Sequence, residues 1–304
     1  MSAYRAGFAC LVGRPNAGKS TLTNALVGQK VAITSSKSQT TRHAIRGIAA
    51  TTDETQLILV DTPGLHKPRT LLGRRLNDIV RETLLNVDVI TFCLPSDQRI
   101  GFGDKFIAAE LTKLQYGRRR PVVAIATKID TVHKDRLAQH LVGIDQLGDW
   151  DEIVPCSATR GDQVDAVAHI LMKHLPVSPK LYPDDVLTDE PDDVMIADLV
   201  REAALEGIRD ELPYSLAVVV EEITLHEGYQ LDKPLLDIHV NMYVERPSQK
   251  GIIIGRGGSR LREVATNARI AIEELLRQRA FLDLHVKIAK DWQRDPNQLS
   301  KLGF

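Results

Sequence analysis

The chain has 304 residues, 43% of them hydrophobic and 26% charged, with a formal net charge of −1. That length exceeds one ordinary core and predicts two domains, and the near-average balance excludes a disordered or fibrous chain. No uncharged apolar run approaches the roughly 20 residues that cross a bilayer, and Met1-Ser2-Ala3-Tyr4-Arg5 lacks a secretory apolar stretch, so a cytoplasmic protein is expected.

In chain order, apolar runs at 8–12, 57–60, 87–94, 122–126 and 153–156 read as buried parallel strands. Helical patterns at 20–27, 74–85 and 105–114 alternate with them, as in a doubly wound α/β sheet, where ligands bind at the carboxyl ends of strands. Cys10, Cys93 and Cys156 are separated singletons in apolar contexts and read as reduced core residues rather than metal ligands. Pro176, Pro179, Pro183 and Pro191, mixed with acidic residues, predict an extended connector over 176–193 that separates a first domain, 1–175, from a second, 194–304.

The second domain reads as a helix at 194–212, strands at 216–225 and 235–244, the loop Gly255-Arg256-Gly257-Gly258, a helix at 259–280 and a strand at 282–288. This is a smaller α+β unit of order α-β-β-α-β. Residues 193–245 carry three Lys/Arg against twelve Asp/Glu, whereas 246–304 carry twelve against six, the balance of a segment that meets a polyanion.

Gly13-Arg14-Pro15-Asn16-Ala17-Gly18-Lys19-Ser20 matches the P-loop pattern and stands where that pattern must, after a strand and before a helix. Its glycines admit a close backbone wrap, so amides of the loop and helix start can face phosphates, with Thr21 at the rim; Lys19 reaches the β and γ phosphates and Ser20 offers a hydroxyl to Mg²⁺. Asp61-Thr62-Pro63-Gly64 follows a buried strand, which places Asp61 beside the Mg²⁺ shell and the Gly64 amide toward the γ-phosphate. Alone that tetrapeptide would be a turn; its order after the P-loop makes it functional. Asp130, in Thr127-Lys128-Ile129-Asp130, can accept from both N1–H and the exocyclic amine of guanine, a donor pair adenine lacks.

These motifs, in this order and followed by Ser157-Ala158, resemble the translation-factor-related GTPases. The resemblance implies a P-loop GTPase domain with a mixed, mostly parallel sheet, using GTP, GDP and Mg²⁺. It also implies that a backbone amide of Ser157-Ala158 contacts guanine O6 and that Lys128 covers the base. Such GTPases usually carry Asn at the position of Thr127, where it bridges base and P-loop; threonine keeps a hydroxyl but loses reach, so altered affinity is expected.

The polar stretch from Thr34 to Arg42 suits a switch loop, with Thr41, or failing that Thr40, completing Mg²⁺ coordination when γ-phosphate is present. Leu65 stands where many signalling GTPases place a water-orienting glutamine, so slow turnover is expected. Lys19, Asn16, Thr41 and Gly64 are the residues expected to act in hydrolysis. Asn16 resembles its counterpart in relatives that bind K⁺ beside the phosphates.

Gly255-x-x-Gly258 before a helix, in a basic segment, resembles a type II KH domain, whose loop clamps single-stranded RNA. Lys250, Gly255, Arg256, Gly257, Gly258, Arg260 and Arg262 are its expected RNA-binding residues. With Gln39-Thr40-Thr41-Arg42 and Glu211-Leu212-Pro213-Tyr214-Ser215, nearly the whole chain resembles the Era family of bacterial GTPases. That resemblance implies binding of small-subunit rRNA near its 3′ end during 30S assembly, favoured by GTP, by a monomer. Anionic lipid offers a peripheral membrane alternative to a purely cytoplasmic location. A competing reading is an RNA-binding assembly chaperone whose nucleotide turnover is not essential. An RNA-modifying enzyme has no cysteine pair or metal cluster in the sequence to support it.

Overall fold

The computed structural model describes residues 3–34, 41–49, 54–114, 119–208, 215–226 and 235–304. The chain divides into two compact units, Met1–Arg69 with Gly73–Asp189, and Thr70–Leu72 with Glu190–Phe304.

The first unit runs β1 (Arg5–Gly13), α1 (Lys19–Val27), β2 (Ile45–Ile48), β3 (Thr55–Asp61), α2 (Leu71–Asn86), β4 (Val89–Pro95), α3 (Phe102–Leu114), β5 (Val122–Thr127), α4 (Lys134–Asp145), β6 (Glu152–Pro155) and α5 (Val164–Lys173). Its six-stranded sheet has the order β2-β3-β1-β4-β5-β6, parallel except for β2 against β3. β4 and β5 are buried at every position, which is why they read as unbroken apolar runs. One core lies on each face, around Leu22, Leu57 and Leu171 and around Leu84, Phe92 and Ile107. Because β1, β3 and β5 run parallel, their ends at Gly13, Asp61 and Thr127 share one rim of the sheet.

The short edge strand β2 carries no apolar run, since Arg46-Gly47 interrupts it; a Cβ on Gly47 would lie 2.8 Å from Val27 Cγ2, so only glycine lets the strand pack there. The thiols of Cys10 and Cys93 are pushed up to about 12, and that of Cys156 to about 11, all chiefly by burial.

The connector departs from the sequence reading. Residues up to Asp189 belong to the first unit, and the chain lies along the sheet rather than free. Ser178 N donates to Tyr4 O at 3.1 Å, and Gln56, fully buried in β3, holds the backbone of Leu181 and Tyr182. Prolines make the segment extended, and an extended chain is the form whose amides a sheet edge and a buried carboxamide can bind.

The second unit runs α6 (Asp192–Leu205), β7 (Ala217–Leu225), β8 (Leu235–Val244), α7 (Pro247–Ile254), α8 (Ser259–Leu276), β9 (Arg279–Ile288) and α9 (Pro296–Lys301). β7 pairs antiparallel and β9 parallel with β8. Ile238, Val240, Met242 and Val244 alternate into the core, where Val264, Ala268 and Ile272 of α8 are also buried. Among the described residues the order is therefore α-β-β-α-α-β-α, with α7 and the short α9 added to the expected α-β-β-α-β. α7 starts at Pro247, and Gln249 Oε1 caps it by accepting from the amides of Glu245 and Arg246 at 2.9 and 3.0 Å. α6 stops at Leu205, before Gly207 (φ +68), short of the expected 212; residues 209–214 lie outside the described residues. The C-terminal segment is anchored by fully buried Trp292, whose Nε1 donates to Ser215 O at 3.0 Å.

Candidate functional site

After β1 the chain turns through left-handed Asn16 (φ 62) and Gly18 (φ 85) into α1. No side chain caps α1, so its first amides are directed at the cleft lined by Pro15 to Thr21, Ile33, Thr34, Thr41 and Gly64. Uncapped helix-start amides are an anion site. A Cβ on Gly13 would lie 2.7 Å from Cys93 O, and one on Gly64 2.6 Å from Pro15 N, so both glycines are fixed by close backbone approach. Lys19 Nζ donates to Arg14 O at 3.2 Å. Arg14 contributes its backbone only: its Nε is bound by buried Asp104 at 2.7 Å and its Nη1 by Gln98 at 3.1 Å, which draws the guanidinium onto α3.

The three oxygens expected around Mg²⁺ converge. Ser20 Oγ donates to Asp61 Oδ2 at 2.6 Å, Thr41 Oγ1 donates to the same oxygen at 3.3 Å, and the two hydroxyls lie 3.1 Å apart. Two neighbouring oxygens of an octahedron at 2.0–2.1 Å from the metal would be about 2.9 Å apart, so the set fits a hard divalent cation. Asp61 is fully buried, and its Oδ1 is among the described buried atoms without a hydrogen-bond partner. Burial raises the Asp61 carboxyl above the carboxylate range against the opposing pull of Lys19, and burial lowers the Lys19 ammonium against the pull of Asp61. The pair is poised for added charge: phosphates for Lys19, a cation for Asp61. Thr40 lies outside the described residues.

A second cleft, of about 150 Å³, opens on the other side of Gly18 and is lined by Thr21, Leu22, Thr127, Lys128, Asp130, Thr131, Cys156, Ala158 and Thr159. Ser157 Oγ donates to Asp130 Oδ1 at 2.6 Å and fixes that carboxylate, while Lys128 Nζ meets Asp97 at 3.1 Å. The Ser157 amide is bound to Asp162 O at 3.0 Å, so Ala158 is the residue of the pair that lines the cleft. Thr127 does not fall short of the P-loop: its hydroxyl donates to Ala17 O at 2.7 Å. Its single proton is thereby used, which leaves only acceptor capacity toward a base.

Thr62 Oγ1 donates to Leu11 O at 2.6 Å, and Pro63 is buried with it behind Gly64. Leu65 is 1% exposed and its amide donates to Gly13 O at 3.1 Å, so its side chain belongs to the core. Leu22, Thr131, Cys156 and Thr159, which the motifs did not single out, line the second cleft because each stands within a few residues of a motif position.

In the second unit, Gly255 (φ 70), Gly257 (φ 59) and Gly258 (φ 77) turn the chain from α7 into α8. A Cβ on Gly255 would lie 2.7 Å from Arg260 Cβ, whereas Gly257 and Gly258 face open space. Lys250 is half-buried, and Arg256 and Arg262 are exposed. Arg260 departs from expectation: its guanidinium binds Ala204 O at 3.3 Å and Glu206 O, the carbonyls that end α6. A helix C-terminus attracts a cation, and that attraction outcompetes solvent for this side chain. Among the described residues no helix is long and apolar enough to cross a membrane, and no His, Cys, Asp and Glu cluster forms a further metal site.

The chain matches a family described as 50S ribosome-binding GTPase over residues 8–128 and the KH domain family over residues 211–293. It is 64% identical to the GTPase Era of Streptomyces coelicolor, covering 99% of this chain and 95% of that protein, and 58% identical to the GTPase Era of Mycolicibacterium smegmatis over all of both. Among solved structures it is similar to Era in complex with MgGDPNP and nucleotides 1506–1542 of 16S ribosomal RNA (34% identity, TM-score 0.92, 99% of both chains). It is equally similar to a single-residue variant of Aquifex aeolicus Era bound to GDP·AlF4⁻ (34% identity, TM-score 0.92, 98% and 99%). The clefts at the rim of the first sheet and the glycine loop of the second unit occur in a chain matched along its whole length, and the chain belongs to the Era family of GTPases.

Proposed function

We propose that the chain is a GTP-hydrolysing switch that binds small-subunit rRNA near its 3′ end through the Gly255–Gly258 loop. The observation that carries the GTPase part is the convergence of Ser20, Thr41 and Asp61 beside uncapped helix amides, next to a cleft whose carboxylate, Asp130, is held by Ser157. The P-loop amides and Lys19 bind the phosphates, Thr21 and Ala158 flank the nucleoside, and Asp130 reads guanine. Ser20, Thr41 and Asp61 would hold Mg²⁺, which when bound neutralises charge on the β and γ phosphate oxygens. Water attacks the γ-phosphorus and GDP departs with the bridging oxygen; Gly64 N–H and Lys19 stabilise charge on the transferred group. Leu65 provides no polar group to orient that water, so intrinsic turnover is slow.

The RNA part is supported by the solved relative that holds 16S rRNA nucleotides and by the exposed, cationic Arg256 and Arg262 around a backbone-only loop. We take the role to be assembly of the 30S subunit by a monomeric cytoplasmic protein; the basic balance of 246–304 also favours peripheral contact with anionic lipid. Titration with GTP, XTP and ATP in Mg²⁺, followed by single-turnover hydrolysis, tests the reading. GTP should bind tightest and be cleaved slowly; equal affinity for ATP would refute guanine reading by Asp130.

A further inference from the structure

The connector is fastened to the first unit at two places of unlike character. Gln56, with no exposed surface, accepts the amides of Leu181 and Tyr182 at 2.9 and 3.0 Å and donates to Tyr182 O at 2.9 Å. Three hydrogen bonds to a buried carboxamide make a permanent anchor. Farther along, the connector lies against the edge strand β2: Ile48 N donates to Leu187 O at 2.8 Å and Thr188 Oγ1 to Arg46 O at 2.6 Å. Arg46 meets Asp189 at 3.0 Å, and the Tyr182 hydroxyl donates to the same Asp189 oxygen at 2.7 Å. Here the ion pair is open to solvent, 49% and 28% exposed, so it is weak enough to break.

Each side of this fastening continues into a functional segment. β2 begins four residues after Thr41, which is bonded to Ser20 and Asp61. Asp189 is followed by α6, whose terminal carbonyls hold Arg260, and Arg260 backs Gly255 of the glycine loop. We infer that Leu187–Thr188–Asp189 is a releasable latch on β2, through which the nucleotide state at Thr41 is passed to the RNA-binding unit. The inference rests on the GTP-dependent RNA reading above. Coupling requires that the latch respond to nucleotide, closed in one nucleotide state and open in the other.

The test measures the affinity of the whole chain for an RNA of 16S nucleotides 1506–1542 with GDP and with a non-hydrolysable GTP analogue, in the wild type, Arg46→Ala, Asp189→Ala and the double variant. The analogue-to-GDP ratio should fall about fivefold in either single variant, with no further fall in the double. Ratios equal to wild type in both single variants overturn the latch. If the wild type shows no nucleotide dependence, the GTP-dependent RNA reading fails, and amide exchange decides the latch without RNA. Ile48 exchanging differently in the two nucleotide states, with Leu181 and Tyr182 constant, supports it; equal protection of Ile48 overturns it.

Discussion

The nucleotide clefts and the glycine loop, the two places proposed to bind polyanions, have opposite constructions. Around the phosphates the protein has desolvated its own charges: Asp61 is 0% and Lys19 6% exposed, each displaced by burial toward its neutral form. At the glycine loop nothing is buried; Gly257 and Gly258 supply left-handed backbone facing open space, with exposed Arg256 and Arg262 nearby. Function and folding are therefore entangled at the first site and separable at the second, because a changed buried polar group costs stability and a changed surface loop costs little.

The largest effect should come from Asp130→Asn. It removes a charged acceptor for two guanine donors, about 3–5 kcal/mol, so GTP affinity falls by more than a hundredfold and XTP becomes the better ligand, as nucleotide titration would show. Gly13→Ala places a methyl group 2.7 Å from Cys93 O, and thermal melting should show a loss of about 2 kcal/mol or more before any nucleotide is added. Thr127→Val strands Ala17 O in a buried position and should cost about 1–2 kcal/mol, with GTP affinity falling in step, whereas Thr127→Ser should keep both.

Gly257→Asp sharpens the contrast from the other side. A left-handed φ of 59° costs an L-residue about 1 kcal/mol, yet RNA binding should be lost with GTP binding intact. The smallest effect belongs to Glu273, whose carboxyl is held below its usual range by the Ala280 amide and by Arg269. A depressed carboxyl stabilises the fold above its unfolded value, near 4.3, and that contribution is lost as pH falls through the folded value. Glu273→Gln should therefore lower the melting temperature at pH 7 and lose its effect as the pH falls below the unfolded value and through the lower folded one. At the nucleotide site, hydrolysis should run faster in K⁺ than in Na⁺ at equal ionic strength if Asn16 helps hold a cation; equal rates would remove that role.

Much of the first site was legible because its chemistry is local in sequence: a strand end, a glycine turn and a helix start suffice to place Lys19, Ser20 and Asp61. What escaped is non-local. Gln56 reads only as a polar residue ahead of the apolar run 57–60, and its purpose is visible once the connector is seen bound to it. Arg260 reads as one more cation beside the glycine loop, but α6, more than fifty residues earlier, claims it. Pro247-Ser248-Gln249-Lys250-Gly251 combines two helix breakers with a cap, and the Ile252-Ile253-Ile254 that follows has β-branched chains, so α7 lacked a helical period to announce it.

Nucleotide state is expected to govern RNA binding by the glycine loop. The most direct measurement is the affinity of the whole chain for the 1506–1542 RNA with GDP and with the GTP analogue, beside Gly257→Asp. Tighter binding with the analogue, abolished in the variant, is the expected result; equal affinity with both nucleotides, or full binding by Gly257→Asp, would contradict it.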